Sequence, residues 1–223
     1  MSKELMELIL IGIGETLYMT LASTAIAYLL GIPLGVLVYM SERNALCGSG
    51  AVNKAINTVA GVIINIVRSI PFLILLVAIL PFTRFVVGTT IGSKATIVPL
   101  VVAATPFIAR MVESSLREVD EGVIEAAKAM GAGRIQIILK VLLPEAKPSL
   151  LVGATIAIAT ILGYSAMAGF VGGGGLGAIA INYGYYRYQV DMMLITVALL
   201  VVIVQLFQEV GARLVNKIDK RLK

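Results

Sequence analysis

The chain has 223 residues, of which 59% are hydrophobic and 14% charged, and its net charge is +5. This composition leaves too little polar surface to cover a water-soluble globule. The basic residues stand between apolar runs and form no patch with interleaved aromatic residues, which argues against a nucleic-acid-binding protein. Cys47 is the only cysteine, so no internal disulfide can form.

The N-terminus carries Lys3 but also the acidic residues Glu4, Glu7 and Glu15. It lacks the basic n-region of a secretory signal and a small-residue cleavage site after a short apolar core. We therefore expect no cleaved signal peptide.

Five apolar stretches follow along the chain, at residues 16–39, 56–82, 96–112, 149–171 and 192–210. Each is about long enough to cross the hydrocarbon core of a bilayer, which takes about 20 apolar residues. Their lack of alternation argues against a β-barrel, and a backbone in lipid must bond within its own helix. The sequence therefore predicts an all-α polytopic membrane protein with five transmembrane helices in one domain, residues 1–223.

The basic residues indicate the orientation of the chain. Thirteen of them fall in the segments 41–55, 110–148 and 211–223, whereas only Lys3, Arg84, Lys94 and Arg187 fall on the opposite side. Because cytoplasmic loops carry the excess of lysine and arginine, we expect the N-terminus outside and the C-terminus in the cytoplasm of an inner or plasma membrane.

Polar residues interrupt the second apolar stretch near its middle: Asn65, Arg68, Ser69 and Pro71. An arginine at such a place costs about 2.5–3.5 kcal/mol on insertion scales, so Arg68 must face protein or water. Two interpretations remain open. Arg68 lines a polar pathway, or it caps carbonyls freed by Pro71 or pairs internally.

The long segment 113–147, between the third and fourth stretches, is predicted to form two short helices. Asp120 and Glu121 suit a helix start, and Gly131 suits the left-handed position just after a helix end. The second helix is expected from about Arg134 until Pro144 prevents its continuation. Its apolar face is predicted to consist of Ile135, Ile138, Leu139 and Leu142.

One motif lies in this segment: Glu125-Ala126-Ala127, then Gly131, then Val141-Leu142-Leu143-Pro144. It resembles the EAA loop of the permeases of ABC importers. The resemblance implies a type I ABC importer permease fold, in which a coupling helix over residues 125–131 fits a cleft of a cytoplasmic ATPase. Glu125, Ala126, Ala127, Gly131 and Pro144 are then the residues that couple permease and ATPase. Good helix formers on a solvated loop are the alternative, but that alternative does not explain the spacing.

The resemblance extends over most of the chain and is closest to the permeases of methionine importers, which also take up D-methionine. It is carried by Val67–Phe72, Pro81–Arg84, Pro106–Glu113 and Gly163–Met167. It implies a homodimer, two copies of a separate ATPase and an extracytoplasmic substrate-binding protein. A permease for another small solute, such as a polar amino acid or an osmolyte, remains the alternative, because the binding protein selects the substrate.

Nucleotide chemistry is not expected in this chain. The sequence has no Gly-x-x-x-x-Gly-Lys-Ser/Thr phosphate loop, so ATP is expected to be used by the partner ATPase. Gly172, Gly174 and Gly177 match a dinucleotide-binding spacing, but they follow a long apolar helix and not a strand. We expect a transporter subunit with no cofactor, metal or catalytic residue of its own.

Two features at the end of the fourth stretch suggest gating. The run Gly172–Gly175 is expected to form a bend, either flexible or static. Met167 stands among small residues, where it is either the outward gate of a two-fold dimer or a packing residue. Gly31 and Gly35 flank Pro33 and make close helix packing one possibility.

A self-contained secondary transporter or channel that uses Arg68 is the main alternative of another class. Against it, the five stretches show no internal repeat and lack the buried acids of ion-coupled carriers. A membrane-embedded enzyme is disfavoured further because the chain has no histidine and no pair of intramembrane carboxylates.

Overall fold

The structure is a computed structural model that describes residues 3–42 and 50–218. Cys47 and four basic residues used to assign the orientation lie outside the described residues: Arg43, Lys220, Arg221 and Lys223. The described part of the chain is helical and contains no strand. Its five long helices are α1 (Lys3–Glu42), α2 (Gly50–Ser69), α5 (Ser93–Arg117), α9 (Lys147–Met167) and α11 (Val190–Ile218).

Short helical elements connect these five. They are α3 (Phe72–Ala78), α4 (Leu80–Val87), α6 (Glu121–Ala129), α7 (Arg134–Ile137), a π-helical turn (Ile138–Leu142), α8 (Leu143–Glu145), a 3₁₀ turn (Ala168–Val171), α10 (Gly175–Ile179) and a second π-helical turn (Ala180–Tyr185). Five segments of the described chain are long and apolar enough to cross a membrane. The prediction of an all-α protein with five membrane helices is confirmed.

The second apolar stretch forms more than one helix. α2 ends at Ser69, and Pro71 occupies the N-cap position of α3 with φ −56° and ψ 135°. Proline lacks an N–H and pushes the preceding residue out of the helical region, so a helix cannot run through it without strain. Arg68 therefore lies in the last turn of α2 and not near the middle of a continuous helix over residues 56–82.

The chain divides into two compact units, and the expectation of a single permease domain stays a prediction. The first unit comprises the described parts of Met1–Ala27, Ile70–Ala104 and Ile156–Val210. In it, the ring of Phe72 stacks on the ring of Tyr164 with centroids 4.5 Å apart. Its buried apolar core consists of Ile9, Leu162, Leu176, Ile179, Met192 and Ile203.

The second unit comprises the described parts of Tyr28–Ser69, Thr105–Thr155 and Gly211–Lys223. Here α1 and α5 approach closely at two glycines. A Cβ on Gly31 would lie 2.6 Å from Ile108, and a Cβ on Gly35 would lie 2.6 Å from the carbonyl oxygen of Ala109. Gly31 and Gly35 therefore do permit close helix packing, which the sequence left as one possibility.

Candidate functional site

The start of α6 is fixed by Asp120. The Asp120 Oδ1 atom accepts the backbone N–H of Gly122 at 2.8 Å, and Glu121 places a second carboxylate in the first turn. Both carboxylates interact favourably with the free N–H groups and the positive end of the helix dipole. The predicted helix start is confirmed.

The end of α6 is a Schellman motif. The N–H of Ala132 donates to the carbonyl of Ala127 at 3.0 Å, and the N–H of Gly131 donates to the carbonyl of Lys128 at 2.9 Å. Gly131 has φ +79°, as predicted for the left-handed position, and a Cβ added there would meet open space. Glycine is therefore needed for the backbone conformation and not for lack of room.

The two alanines of the motif lie on different faces of α6. Ala127 is buried together with Ile124, whereas Ala126 and Glu125 are exposed. Ala127 thus packs α6 onto its own chain, whereas Ala126 leaves a small side chain at the surface. The coupling role of both alanines stays a prediction.

A second helix, α7, begins at Arg134, a few residues after α6 ends. The Gly133 N–H donates to Gln136 Oε1 at 3.0 Å, which secures the start of α7. α7 ends at Ile137, well before Pro144, and the chain continues through the π-helical turn into α8. The helical backbone is thus unbroken from Arg134 to Glu145 and ends one residue after Pro144, close to the predicted stop.

The predicted apolar face of this second helix is confirmed only in part, because Leu142 is buried and Ile138 half-buried but the other two predicted residues are exposed. Ile137 and Leu142 are buried, whereas Ile135 is 71% exposed and Leu139 is 59% exposed. The buried residues are five apart, which matches the spacing of the π-helical turn and not the α-helical period. The extra residue in that turn shifts every following side chain round the helix.

Exposed apolar side chains therefore surround the motif. We call the residues Val123, Met130, Ile135 and Leu139 the loop surface. Met130 is the most exposed of them at 81%. Such side chains on a segment of mixed charge indicate a contact surface for another protein.

A buried carboxylate ties the end of α5 beside this segment to two other helices. Glu113 accepts hydrogen bonds from Arg110 at 2.7 Å and from Arg117 at 2.6 Å. Arg117 also pairs with Glu42 of α1 at 2.6 Å, and Arg110 donates to Asn65 of α2 at 3.1 Å. The sequence interpretation assigned no network to these residues. The spacing of opposite charges by three and four residues is the signal that indicates it.

The glycine run in the first unit is held on several sides. Glu15 Oε2 accepts the N–H of Gly175 at 2.7 Å, and Thr16 Oγ1 accepts the N–H of Leu176 at 2.8 Å. Glycines 172, 174 and 175 have φ of +80°, +83° and +72°, conformations that L side chains rarely adopt. These contacts favour the static turn over the flexible bend.

The two candidate pathway residues are both exposed. Met167 is the last residue of α9, and Arg68 lies in the last turn of α2. Among the described residues, no carboxylate pairs with Arg68. This weakens the internal-pair interpretation of Arg68, whereas the roles of both residues stay predictions.

Metal binding finds no support in the described ranges, where no group of three or more His, Cys, Asp or Glu side chains could hold an ion. The features of this segment that the structure shows are the exposed loop surface and the capped ends of α6, which can contact a partner and transmit its motion.

The family described as "Binding-protein-dependent transport system inner membrane component" matches residues 31–223. The chain belongs to this family. It is thus a multi-pass membrane permease subunit of the ABC importer class, with the type I fold.

Relatives of this permease match it along nearly its whole length. It is 49% identical over 215 residues to the "Probable D-methionine transport system permease protein MetI" of Vibrio cholerae, covering 96% of this chain and 94% of the relative. It is 45% identical over 207 residues to the "Methionine import system permease protein MetP" of Bacillus subtilis, covering 93% and 91%.

A solved structure described as "Inward facing conformations of the MetNI methionine ABC transporter" is similar to the permease throughout. Its TM-score is 0.93 at 48% identity, over 99% of this chain and 100% of the other. Sequence identity of this level over the full length accompanies the structural match.

Proposed function

We propose that this permease forms the translocation pathway for L- and D-methionine across the cytoplasmic membrane. The observation that carries the proposal is the full-length similarity to the solved methionine ABC transporter, at 48% identity and a TM-score of 0.93. Relatives from Vibrio cholerae and Bacillus subtilis whose names specify methionine or D-methionine transport support the same substrate.

The proposed assembly contains two copies of this chain, two copies of a cytoplasmic ATPase and an extracytoplasmic binding protein that delivers methionine. ATP is used by the ATPase, because this sequence has no phosphate-binding loop. The permease has no ATPase site and no cofactor of its own in this proposal.

The coupling helix is proposed to be α6 with its Schellman end, which docks into the ATPase. Three features support this role. The loop surface of Val123, Met130, Ile135 and Leu139 leaves apolar side chains in water unless a partner covers them. Glu125 is exposed beside it and can pair with a basic group of the ATPase. The capped ends of α6 make it a rigid element.

Motion of the coupling helix needs a stiff path into the membrane helices. The network around Glu113 supplies one, because Arg117 joins α5 to Glu42 of α1 and Arg110 joins α5 to Asn65 of α2. Charge-assisted hydrogen bonds of 2.6 to 2.7 Å hold their geometry better than apolar contacts do. A push at α6 is thus proposed to move these three helices together within the second unit.

The orientation is proposed to be N-terminus outside and C-terminus in the cytoplasm, with α6 in the cytoplasm. The excess of lysine and arginine on that side supports it. Met167 and Arg68 are proposed to lie along the pathway, Met167 as the outward gate. The exposure of both side chains supports this placement.

The experiment that tests the proposal is uptake into proteoliposomes that contain the permease, its ATPase and its binding protein. We expect ATP-dependent uptake of labelled L- and D-methionine. Uptake only of another amino acid or an osmolyte would show a different substrate. Uptake by the purified permease alone would show a secondary transporter and overturn the proposal.

A further inference from the structure

Tyrosine is concentrated in one short turn of this chain. Four of the eight tyrosines lie between residues 183 and 188. The segment from Tyr183 to Gln189, here called the tyrosine turn, joins the candidate spans Lys147–Tyr185 and Val190–Ile218. It therefore lies at one end of two consecutive membrane-spanning segments, and the proposed transport mechanism gives it no role.

The backbone of the tyrosine turn is fixed. The Tyr186 N–H donates to the carbonyl of Ile181 at 2.9 Å, and the Gln189 N–H donates to the carbonyl of Tyr183 at 3.1 Å. Tyr188 has φ +55°, and no other non-glycine residue of the described chain has a positive φ. This conformation is unfavourable for a bulky side chain and tends to occur where function requires it.

The turn displays its rings outward. Tyr188 is 86% exposed, and Tyr185 and Tyr186 are exposed as well. The Arg187 guanidinium lies 4.4 Å above the ring of Tyr183, and no carboxylate of the described residues pairs with it. A tyrosine has an apolar body and a polar tip, so a boundary between an apolar and a wet phase suits these rings better than water does.

The side of α11 next to the tyrosine turn is apolar. Val190, Leu194, Val197 and Val201 are all exposed and recur every three or four residues, so they form one stripe along the helix. An exposed apolar stripe on a membrane-spanning helix suits acyl chains or a second protein surface, and we take it here to face acyl chains. A shallow groove of about 860 Å³, lined by Leu5, Tyr188, Val190 and Leu194 among others, continues that surface to the turn.

We infer that the tyrosine turn binds phospholipid headgroups at the membrane–water boundary. Tyr185, Tyr186 and Tyr188 lie at the headgroup level with their hydroxyls toward water, and Arg187 pairs with a lipid phosphate. This contact anchors the start of α11 at a fixed depth in the bilayer. The alternative is that another protein binds the tyrosine turn. The depth of the tyrosine rings in the bilayer distinguishes lipid binding from protein binding.

The chain contains no tryptophan, so a single introduced tryptophan reports its own surroundings without background. Tyr188→Trp and, independently, Tyr186→Trp are placed in the full-length permease in nanodiscs of phosphatidylcholine and phosphatidylglycerol. The lipids carry bromine on their acyl chains, near the headgroup in one set of nanodiscs and near the bilayer centre in another. Met130→Trp serves as the water control and Val201→Trp as the control for the bilayer interior.

Headgroup binding predicts emission at shorter wavelengths than the Met130→Trp control. It also predicts stronger quenching by shallow than by deep bromine, whereas Val201→Trp shows the reverse. Adding Arg187→Gln to Tyr188→Trp is expected to increase quenching by acrylamide, a neutral aqueous quencher.

Acrylamide quenching of both reporters at the level of Met130→Trp, without quenching by brominated lipid, would overturn the inference and leave a protein contact as the use of the turn. If Arg187→Gln leaves acrylamide quenching unchanged, the assigned role of Arg187 is wrong. Neither readout depends on which solute the permease carries, so failure here is separate from failure of the proposed function.

Discussion

Glu15 caps a helix that begins 160 residues later in the chain: its Oε2 atom accepts the N–H of Gly175 at 2.7 Å. The N-cap residue of α10 is Gly174, which has no side chain with which to cap the helix. Glu15 supplies the missing acceptor from α1, and Thr16 supplies the next one to Leu176. The glycine run is thereby attached to the first membrane helix.

Glu15→Ala removes this acceptor and is expected to destabilise the permease by about 1.5–3 kcal/mol, the value of a hydrogen bond to a charged group. Glu15→Gln keeps an acceptor of similar length and should lose less. The midpoint of unfolding in mixed micelles measures both. Glu7→Ala, an exposed glutamate of the same helix, is the control and should leave the midpoint unchanged.

Gly131→Ala tests the end of the coupling helix. Its φ of +79° costs an L side chain about 1–2 kcal/mol, so the Schellman motif should open and α6 should lose its fixed end. We expect reduced stimulation of ATP hydrolysis by the permease in the reconstituted complex. Gly133→Ala is the matched control, because Gly133 has an ordinary φ of −72°. Equal effects of the two substitutions would contradict this assignment.

Arg117 pairs with two carboxylates, the buried Glu113 and the exposed Glu42, whose contributions to stability can be compared. Glu113→Gln removes the charge that two arginines share and is expected to cost about 1–3 kcal/mol. Glu42→Gln removes a largely exposed pair and should cost less than about 1 kcal/mol. Unfolding midpoints of the two variants check the order. A larger loss of stability for Glu42→Gln than for Glu113→Gln would contradict the central role of Glu113 in this network.

Met167→Ala tests the proposed gate. If Met167 closes the outward side, shortening it should raise the leak of methionine through proteoliposomes in the absence of ATP. Met6→Ala makes the same substitution at another exposed methionine, in α1, and should not change the leak. A leak that stays at the wild-type level in Met167→Ala would leave Met167 as a packing residue.

Much of this fold could be predicted because its signals are local. Uninterrupted apolar stretches indicate membrane helices wherever they occur, and Asp120 and Gly131 mark the ends of α6 by their own chemistry. The break at Pro71 was also present in the sequence. The apolar residues on both sides of Pro71 suit one long helix equally well, so the sequence pattern alone did not indicate the break.

Other features could not be predicted from local patterns. The π-helical turn at Ile138–Leu142 shifts the buried face by one residue, so an α-helical period counted back from Leu142 selects the exposed Ile135 and Leu139 and misses the buried Ile137. The contact between Glu15 and Gly175 joins two segments that only the folded chain brings together. A glutamate near an N-terminus carries no sign of such a partner.

Glu125→Lys tests most directly whether α6 transmits the work of the ATPase. Reversing the charge should remove a charge-assisted contact of about 1.5–3 kcal/mol, about tenfold to hundredfold in association. ATP hydrolysis and labelled methionine uptake are measured in the same proteoliposomes, with Glu125→Gln as the intermediate variant. The account predicts that Glu125→Lys abolishes both stimulated hydrolysis and uptake while the permease stays folded. Wild-type uptake with unchanged binding of the ATPase would contradict it.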